Sequence, residues 1–384
     1  MRVRKIDTTN PRDVRQFINF PFELYKNDPL WVPPLVTEMK FILNRVEHPF
    51  YQHSEADFYI AESDGQILGR IAVLNNRNHN RYNNSRNAFF GYFESVEDQQ
   101  VAQTLYQAAL DWAGARHLEI LKGPKGLLSG DGLGILIEGF EHRPAIGIAY
   151  NPPYYIDLLQ ACGFEKESDY LSGHLQRDYE LPQRVFKLAE RVKHRRGFWI
   201  KKFANKDEMR AWAPRIREVY NQSFGDVWGF TPITEAEVQV IADRLATIAH
   251  PKLIKLVMKD DQVVGFLFAY HDISAGLQKA RGRLWPLGWM YILLEFQRTK
   301  WANINGIGLL PEHLGVGADT ILITELEKSL REFDFEHADV VQINEDNAKS
   351  MGEMEALGVT WYKRHRVFRR AITLPEKPPF QFVR

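Results

Sequence analysis

Cysteine is almost missing from this chain: Cys162 is the only one in 384 residues. No disulfide can close within the chain, no cysteine-rich zinc site can form, and no metal is expected. An excess of one charge is missing too. Lys and Arg number 49 and so do Asp and Glu, for a formal charge of zero. A general nucleic-acid binder carries a basic surplus, so no nucleic-acid partner is expected. Long apolar runs are also absent. No stretch approaches the ~20 residues that cross a bilayer as a helix. The opening Met1-Arg2-Val3-Arg4-Lys5 leads into polar sequence and lacks the apolar centre of a signal peptide. These absences point to a cytoplasmic protein, either soluble or held peripherally at the inner membrane face.

Enough apolar sequence is present, 45% of the chain, to bury a core in each of two domains. The two halves resemble each other. Residues 57–73 alternate as a hairpin about Asp64-Gly65, a pair suited to a turn that requires positive φ. Residues 253–269 repeat the pattern about Asp260-Asp261, and both turns continue as Gln, two apolar residues and Gly. The first half goes on with a strand over 87–96, a helix over 99–115, a short strand over 119–122 and a helix ended by Gly163. The second half repeats this as 303–310, 318–333, 339–343 and 348–357, ended by Gly358. Each half opens with a short strand and a long helix. The expected division is therefore a module over 1–180, a linker over 181–196 containing a basic helix, a module over 197–372 and an extended tail over 373–384. The element order makes an α/β fold, in which each module has a mixed central sheet flanked by helices.

This order resembles the GNAT acyltransferase fold, present twice. Most of the chain is also similar to a family of bacterial tandem GNAT-like proteins. That resemblance rests on Phe20-Pro21-Phe22-Glu23-Leu24-Tyr25, on Asp28-Pro29-Leu30-Trp31-Val32-Pro33-Pro34-Leu35, and on His48-Pro49-Phe50. It continues through Gly69-Arg70-Ile71-Ala72, Phe89-Phe90-Gly91-Tyr92-Phe93-Glu94 and Asn151-Pro152-Pro153-Tyr154-Tyr155. The resemblance implies that acyl-CoA is the co-substrate, and that its pyrophosphate lies on a turn between the fourth strand and the next helix. Glycines there let backbone N–H groups approach phosphate. In the second half that place holds Leu309-Leu310-Pro311-Glu312-His313-Leu314-Gly315-Val316-Gly317-Ala318-Asp319. Leu314 stands where the family pattern has Gln or Arg, and Asp319 occupies its last small position. The candidate CoA contacts are Leu309, Leu310, Leu314, Gly315, Val316, Gly317 and Ala318. Asn344 and Asn347 either bind the pantetheine or cap a helix. The matching turn of the first half, 93–99, has three acids and no glycine, so the first module is read as a degenerate copy that shapes the acceptor site.

N-acyl transfer needs a base to take a proton from the amine and a donor to the developing oxyanion. The expected bases are Glu218 and His271, and the expected oxyanion contact is the backbone at Leu309-Leu310. Many GNAT enzymes place an acidic Tyr on the last short helix, but this chain has Met354 there. Tyr220, Trp228, Asn151 and Tyr154 are the candidate acceptor contacts, with Asn151 also suited to capping a helix. His79 reads as a solvated loop residue. Thr234 and Glu237 form a capping box. An insertion over 272–301 centres on the run from Leu284 to Phe296, flanked by Lys279, Arg281, Arg283, Arg298 and Lys300. It suits a membrane interface, the wall of an acyl tunnel or a packing insert between modules. The expected activity is acyl-CoA-dependent N-acyl transfer to an amine, amphipathic or lipid-like in character. Amino-acid transfer from aminoacyl-tRNA and non-catalytic ligand binding are the alternatives. The oligomeric state is not legible.

Overall fold

The structure is a computed structural model, described for residues 1–176, 181–225 and 229–373. Thirteen strands are found among these residues. They are β1 (Arg2–Lys5), β2 (Glu55–Ser63), β3 (Gln66–Asn75), β4 (Asn87–Ser95), β5 (Ile120–Gly123), β6 (Ile135–Glu138) and β7 (Glu165–Gln176). The second half supplies β8 (Phe198–Lys201), β9 (Ile254–Lys259), β10 (Gln262–His271), β11 (Trp301–Leu309), β12 (His337–Asn344) and β13 (Thr360–Ala371). Both hairpins form where the turn residues place them, with Asp64, Gly65 and Asp260 at positive φ.

All the strands join one sheet, ordered β1-β2-β3-β4-β5-β13-β7-β12-β11-β10-β9-β8, with β6 paired to β13. The order shows an exchange. The first half ends in β7, which pairs with β12 of the second half. The second half ends in β13, which pairs with β5 of the first. The two exchanged strands then lie antiparallel to each other, from Thr360 opposite His174 to Arg369 opposite Glu165.

Charge selects this pairing. β7 brings Glu165 and Asp169, and β13 brings Arg364, Arg366 and Arg369. Arg366 makes two hydrogen bonds to fully buried Asp169, at 2.8 and 2.9 Å, and Arg369 reaches Glu165 at 2.9 Å. Burial alone would raise the Asp169 pKa. The hydrogen bonds from Arg366 and Lys166 outweigh it and hold the carboxyl below its ordinary value.

Alternate residues along each strand feed cores on opposite faces of the sheet. In the first half Ile71, Val73 and Phe90 pack with Leu105 and Tyr106 of the helix Gln99–Gly114. Phe58, Ile60 and Leu74 pack on the other face with Phe17 and Leu43 of the helices Pro11–Leu24 and Val36–Leu43. In the second half Val257 joins a core with Ile321 and Leu322 of the helix Ala318–Glu332, while Phe266, paired with Leu256 across the hairpin, packs against Tyr220 and Phe224. The basic helix expected before the second module runs over Gln183–Arg196. Its buried Ala189 joins that same core, and Lys193 pairs with Glu325 at 2.8 Å. The tail from residue 374 lies outside the described residues.

The fourth and fifth strands of each half are parallel neighbours for only a few residues. β4 and β5 pair from Asn87–Ile120 to Phe89–Lys122, and β11 and β12 from Trp301–His337 to Ile304–Val340. Beyond those pairs the strands part, helped by irregularities at Tyr92 (φ 50°) and Gly306 (φ 91°). Each half therefore has one V-shaped opening in the sheet.

Since each half lends its last strand to the other, residues 1–181 and 182–384 produced separately should fail to give folded monomers. Produced together, they should associate and recover native near-ultraviolet circular dichroism and the elution volume of the intact chain.

Candidate active site

The two openings differ in what occupies them. In the first half, the chain after β5 turns straight into the gap. The Lys125 N–H donates to the Phe90 carbonyl at 2.8 Å, and a Cβ on Gly91 would stand 2.3 Å from the Lys125 carbonyl oxygen. Backbone thus fills the space that a ligand would need. The start of the next helix is closed as well, because the Asp98 carboxylate accepts from the N–H groups of Gln100 and Val101.

Among the described residues no chain fills the second opening, and its edges at 305–307 and 341–344 line a cavity. The turn after β11 runs through a short 3-10 segment, Pro311–His313, into the helix Ala318–Glu332. Gly315 (φ 69°) and Gly317 (φ 89°) take the left-handed conformation that side chains disfavour. Among the described residues, the N–H groups of Gly315, Val316, Gly317 and Ala318 donate to no protein acceptor. The turn thus presents unpaired donors at the positive end of a helix, as an anion site requires. Asp319 spends its carboxylate on the Thr320 N–H, 2.8 Å away. Its charge also helps raise the Glu353 pKa, although burial is the larger cause.

From this opening a cavity of about 1190 Å³ extends between the halves. That is above the ~300–1,000 Å³ usual for small-molecule sites. One end passes between Ile323, Leu326 and Leu330 of the helix Ala318–Glu332 and Ser350, Met354 and Leu357 beyond β12. Its middle is walled by Phe266, Phe268, Ile304 and Ile307, and its far end by Trp31, Pro33, Pro34 and Leu35 of the first half. Most of this wall is apolar. At the β11 irregularity two polar side chains face the cavity, Tyr270 and Asn305, which are hydrogen-bonded to each other at 3.4 Å.

Several expected residues reach this wall. Tyr220 lines the cavity and bonds Ser129 of the first half. Asn344 and Asn347 line it too, with Asn344 donating to Ser168 at 2.9 Å and Asn347 capping the helix Ala348–Ala356 through the Ser350 N–H. Asn151 is on the wall but caps no helix. Its amide bonds both the N–H and the carbonyl of Leu136, at 2.7 and 3.2 Å, and so pins β6.

Others are placed elsewhere. Tyr154 is off the wall and donates to the Ser95 carbonyl at 2.8 Å, while its neighbour Tyr155 faces the cavity. Glu218 is exposed on the solvent side of its helix, away from the cavity, so it cannot serve as the base there. His271 is buried off the cavity, stacked on Phe296 at 4.4 Å and edged by Phe333 and Phe335. Burial pushes its pKa down to about 4, and it belongs to an aromatic cluster and not to the site. Leu309 and Leu310 are core residues, and the Leu310 N–H is taken by the Val264 carbonyl at 2.9 Å, which removes it as an oxyanion donor. Gly315–Ala318 are not part of the cavity wall but the turn at the helix start described above, with Leu314 exposed beside them. Trp228 lies outside the described residues. His79 is buried and not solvated: its Nδ1 bonds Thr231 at 2.8 Å, and burial lowers its pKa to about 3.

The sequence reading missed two charged clusters on the wall. Glu94 accepts from Tyr25 and Tyr155 at 2.5 and 2.8 Å and lies 3.7 Å from buried Arg70. Burial raises the Glu94 pKa against the opposing pull of Arg70. Second, Arg244 bridges Glu38 and Asp131 at 2.8 and 2.9 Å, near Lys125, whose pKa burial lowers to about 8. The available signal was a charge inside an apolar strand: Arg70 in Gly-Arg-Ile-Ala and Glu94 after Tyr-Phe.

No family model matches the chain. It is 27% identical over 373 residues to protein YghO of Escherichia coli, covering 94% of each chain. It is 25% identical over 377 residues to the bacterial ceramide synthase of Caulobacter vibrioides, covering 96% of this chain and 97% of that one. Among solved structures, a tandem GNAT protein from the clavulanic acid biosynthesis pathway superposes with a TM-score of 0.57 at 12% identity, covering 98% of this chain and 99% of that one. The fold is that of a tandem GNAT protein. A GCN5-related N-acetyltransferase from Anabaena variabilis gives a TM-score of 0.52 at 11% identity, over 97% of this chain and 73% of that one.

Replacing Glu94 by Gln should cost about 3–5 kcal/mol, because it strips the buried Arg70 of its counter-charge. Adding Arg70→Met to Glu94→Gln should restore part of that loss. Urea denaturation of the two single variants and the double variant measures the coupling.

Proposed function

We propose that this protein transfers an acyl group from acyl-CoA to the amine of an amphipathic acceptor. The observation that carries the reading is a helix with two features: its start presents N–H groups unpaired among the described residues, and its Ile323, Leu326 and Leu330 wall a large apolar cavity at the parted sheet. Those donors suit the pyrophosphate of CoA. The gap between β11 and β12, with Asn344 and Asn347 on its wall, suits the pantetheine arm. The cavity has the size and apolar lining for acyl and acceptor chains. The name of the Caulobacter relative, a ceramide synthase, agrees with a lipid-like acceptor.

In this reading the amine nitrogen attacks the thioester carbonyl. A C–N bond forms, the C–S bond breaks, the nitrogen loses a proton and the departing thiolate gains one. Tyr270 and Asn305 stand where the sheet parts and are the polar side chains placed to steady the tetrahedral oxyanion. The Glu94 carboxyl is a wall group suited to hold a cationic headgroup or accept its proton, in place of Glu218 and His271.

Non-catalytic ligand binding is the second reading. Negative charge at Asp319 and Glu353, close to the glycine turn, favours it. A neutral whole-chain charge counts against aminoacyl-tRNA as donor.

Two measurements decide. Gly315 faces open space, where a Cβ would meet nothing within 4 Å. Gly315→Glu should therefore abolish acyl-CoA binding in calorimetry without unfolding the protein, whereas Gly315→Asn, which tolerates positive φ, should retain most of it. Equal affinity in the Glu variant would remove the assignment. Tyr270→Phe should lower kcat for N-acylation of a long-chain amine by about tenfold to a hundredfold with acyl-CoA affinity unchanged. Stable CoA binding with no amide formed from any amine would favour the binding protein.

A further inference from the structure

The insertion of the second half folds as two helices, Ser274–Ala280 and Gly288–Arg298. They pack closely through Gly276, where a Cβ would meet the Tyr291 carbonyl oxygen at 2.9 Å. The inner side of the pair is tied to the body of the protein. Phe296 stacks on His271, Gln278 donates to the carbonyls of Pro29 and Trp31, and the Val36 N–H donates to the Gly282 carbonyl. The outer side is unusual. Trp285, Leu287, Trp289, Met290, Tyr291, Leu293 and Leu294 are all exposed, Trp285 by 83%. They make up seven of the thirteen large hydrophobic side chains exposed among the described residues, gathered within ten positions. A packing insert would turn these side chains inward, so the patch is built to be covered by something else.

We propose that this patch seats the protein on an anionic lipid surface, with the helix Gly288–Arg298 lying in the plane of the interface. Charge selects this occupant. From Ser274 to Lys300 the insertion carries five basic residues and one acid, Glu295, in a chain whose charges balance as a whole. Lys279, Arg281 and Arg298 are exposed and form no ion pair among the described residues. A second copy docking by the same face about a twofold axis would set these cations against their own equivalents. Anionic headgroups would neutralise them, while Trp and Tyr suit the headgroup boundary and the leucines reach the acyl chains. Among the described residues no helix is long and apolar enough to cross a membrane, so the contact is one of lying on the surface.

The position of the patch adds a reason. Ile273 and Leu277, on the inner side of the same insertion, line the large cavity, as does the Trp31–Leu35 segment that the insertion holds in place. The element that meets the lipid is thus also a wall of the cavity, and an amphipathic molecule leaving a bilayer there passes from one apolar surface to another.

The test is flotation of the full chain with vesicles of phosphatidylcholine alone and of phosphatidylcholine mixed with phosphatidylglycerol, in the absence of any substrate. The expected result is flotation with the anionic vesicles, weaker at high salt and weaker still without phosphatidylglycerol. Trp289→Glu with Leu293→Glu, both on the exposed face, should lower binding at least about tenfold, and Lys279→Glu with Arg298→Glu should remove the preference for phosphatidylglycerol. Acyl-CoA binding by these variants should match the parent, so failure here and failure of the acyl-transfer reading give different results. A parent chain that stays unbound with both vesicles, or glutamate variants that float as well as the parent, would overturn the proposal. So would a parent dimer that the Trp289 and Leu293 changes split into monomers without any vesicle binding.

Discussion

The antiparallel pairing of β7 with β13 is the contact on which the rest of the structure depends. Each strand is the last of its half and completes the sheet of the other. The two halves are therefore not beads on a linker but one sheet with a seam of buried charge, where Asp169 is held by Arg366. A buried carboxylate with an imperfect partner is costly, so this ion pair discriminates against shifted registers more than it adds to stability. The seam also sets the two sheet openings on either side of the junction, which is why one cavity can draw its wall from both halves.

The near-repeat in sequence hides an asymmetry of function. Both halves have a parted sheet and a helix beginning beside it. In the first, the chain after β5 fills the opening and Asp98 satisfies the helix N–H groups. In the second, among the described residues, the donors of the glycine turn are unpaired and no chain fills the opening. The first half contributes instead Arg70, Glu94, Glu38 and Asp131 to the cavity wall, the last two bridged by Arg244 of the second half. Glu94 and Arg70 sit among aromatic side chains, where low polarity strengthens their attraction and makes either one costly to leave alone. Such an arrangement serves a pocket that must recognise one polar end of a mostly apolar ligand.

The insertion joins the cavity to the outside. Its inner side is held by backbone hydrogen bonds and by the stacking of Phe296 on His271, so the exposed residues are displayed by a supported helix. The residue expected to be a base is thus a structural support. Its low pKa follows from burial, with nearby His250 and Lys206 as smaller causes.

Local chemistry was legible in the sequence. The hairpin at Asp64-Gly65, the Thr234–Glu237 capping box, the strand and helix order of each half and the glycine turn at Gly315–Gly317 could be read directly. Each depends on neighbours within a few positions: a φ requirement, a cap or an alternation of apolar residues. Facing and partnership were not legible. Glu218 and Tyr220 lie two positions apart on one helix, yet one meets water and the other the cavity. Of Tyr154 and Tyr155 only the second faces the cavity, the first packing on the core, and Asn151 pins a strand instead of capping a helix. Nothing in the spacing of residues announced that the last strands would be exchanged, although opposite charges on 165–169 and 364–369 were its trace. Sequence alone determined which elements form, because backbone preferences act locally. Only the tertiary structure decided which strands pair and which side chains share the cavity, because those outcomes depend on burial and charge between residues far apart in the chain, 226 positions in the case of Glu138 and Arg364.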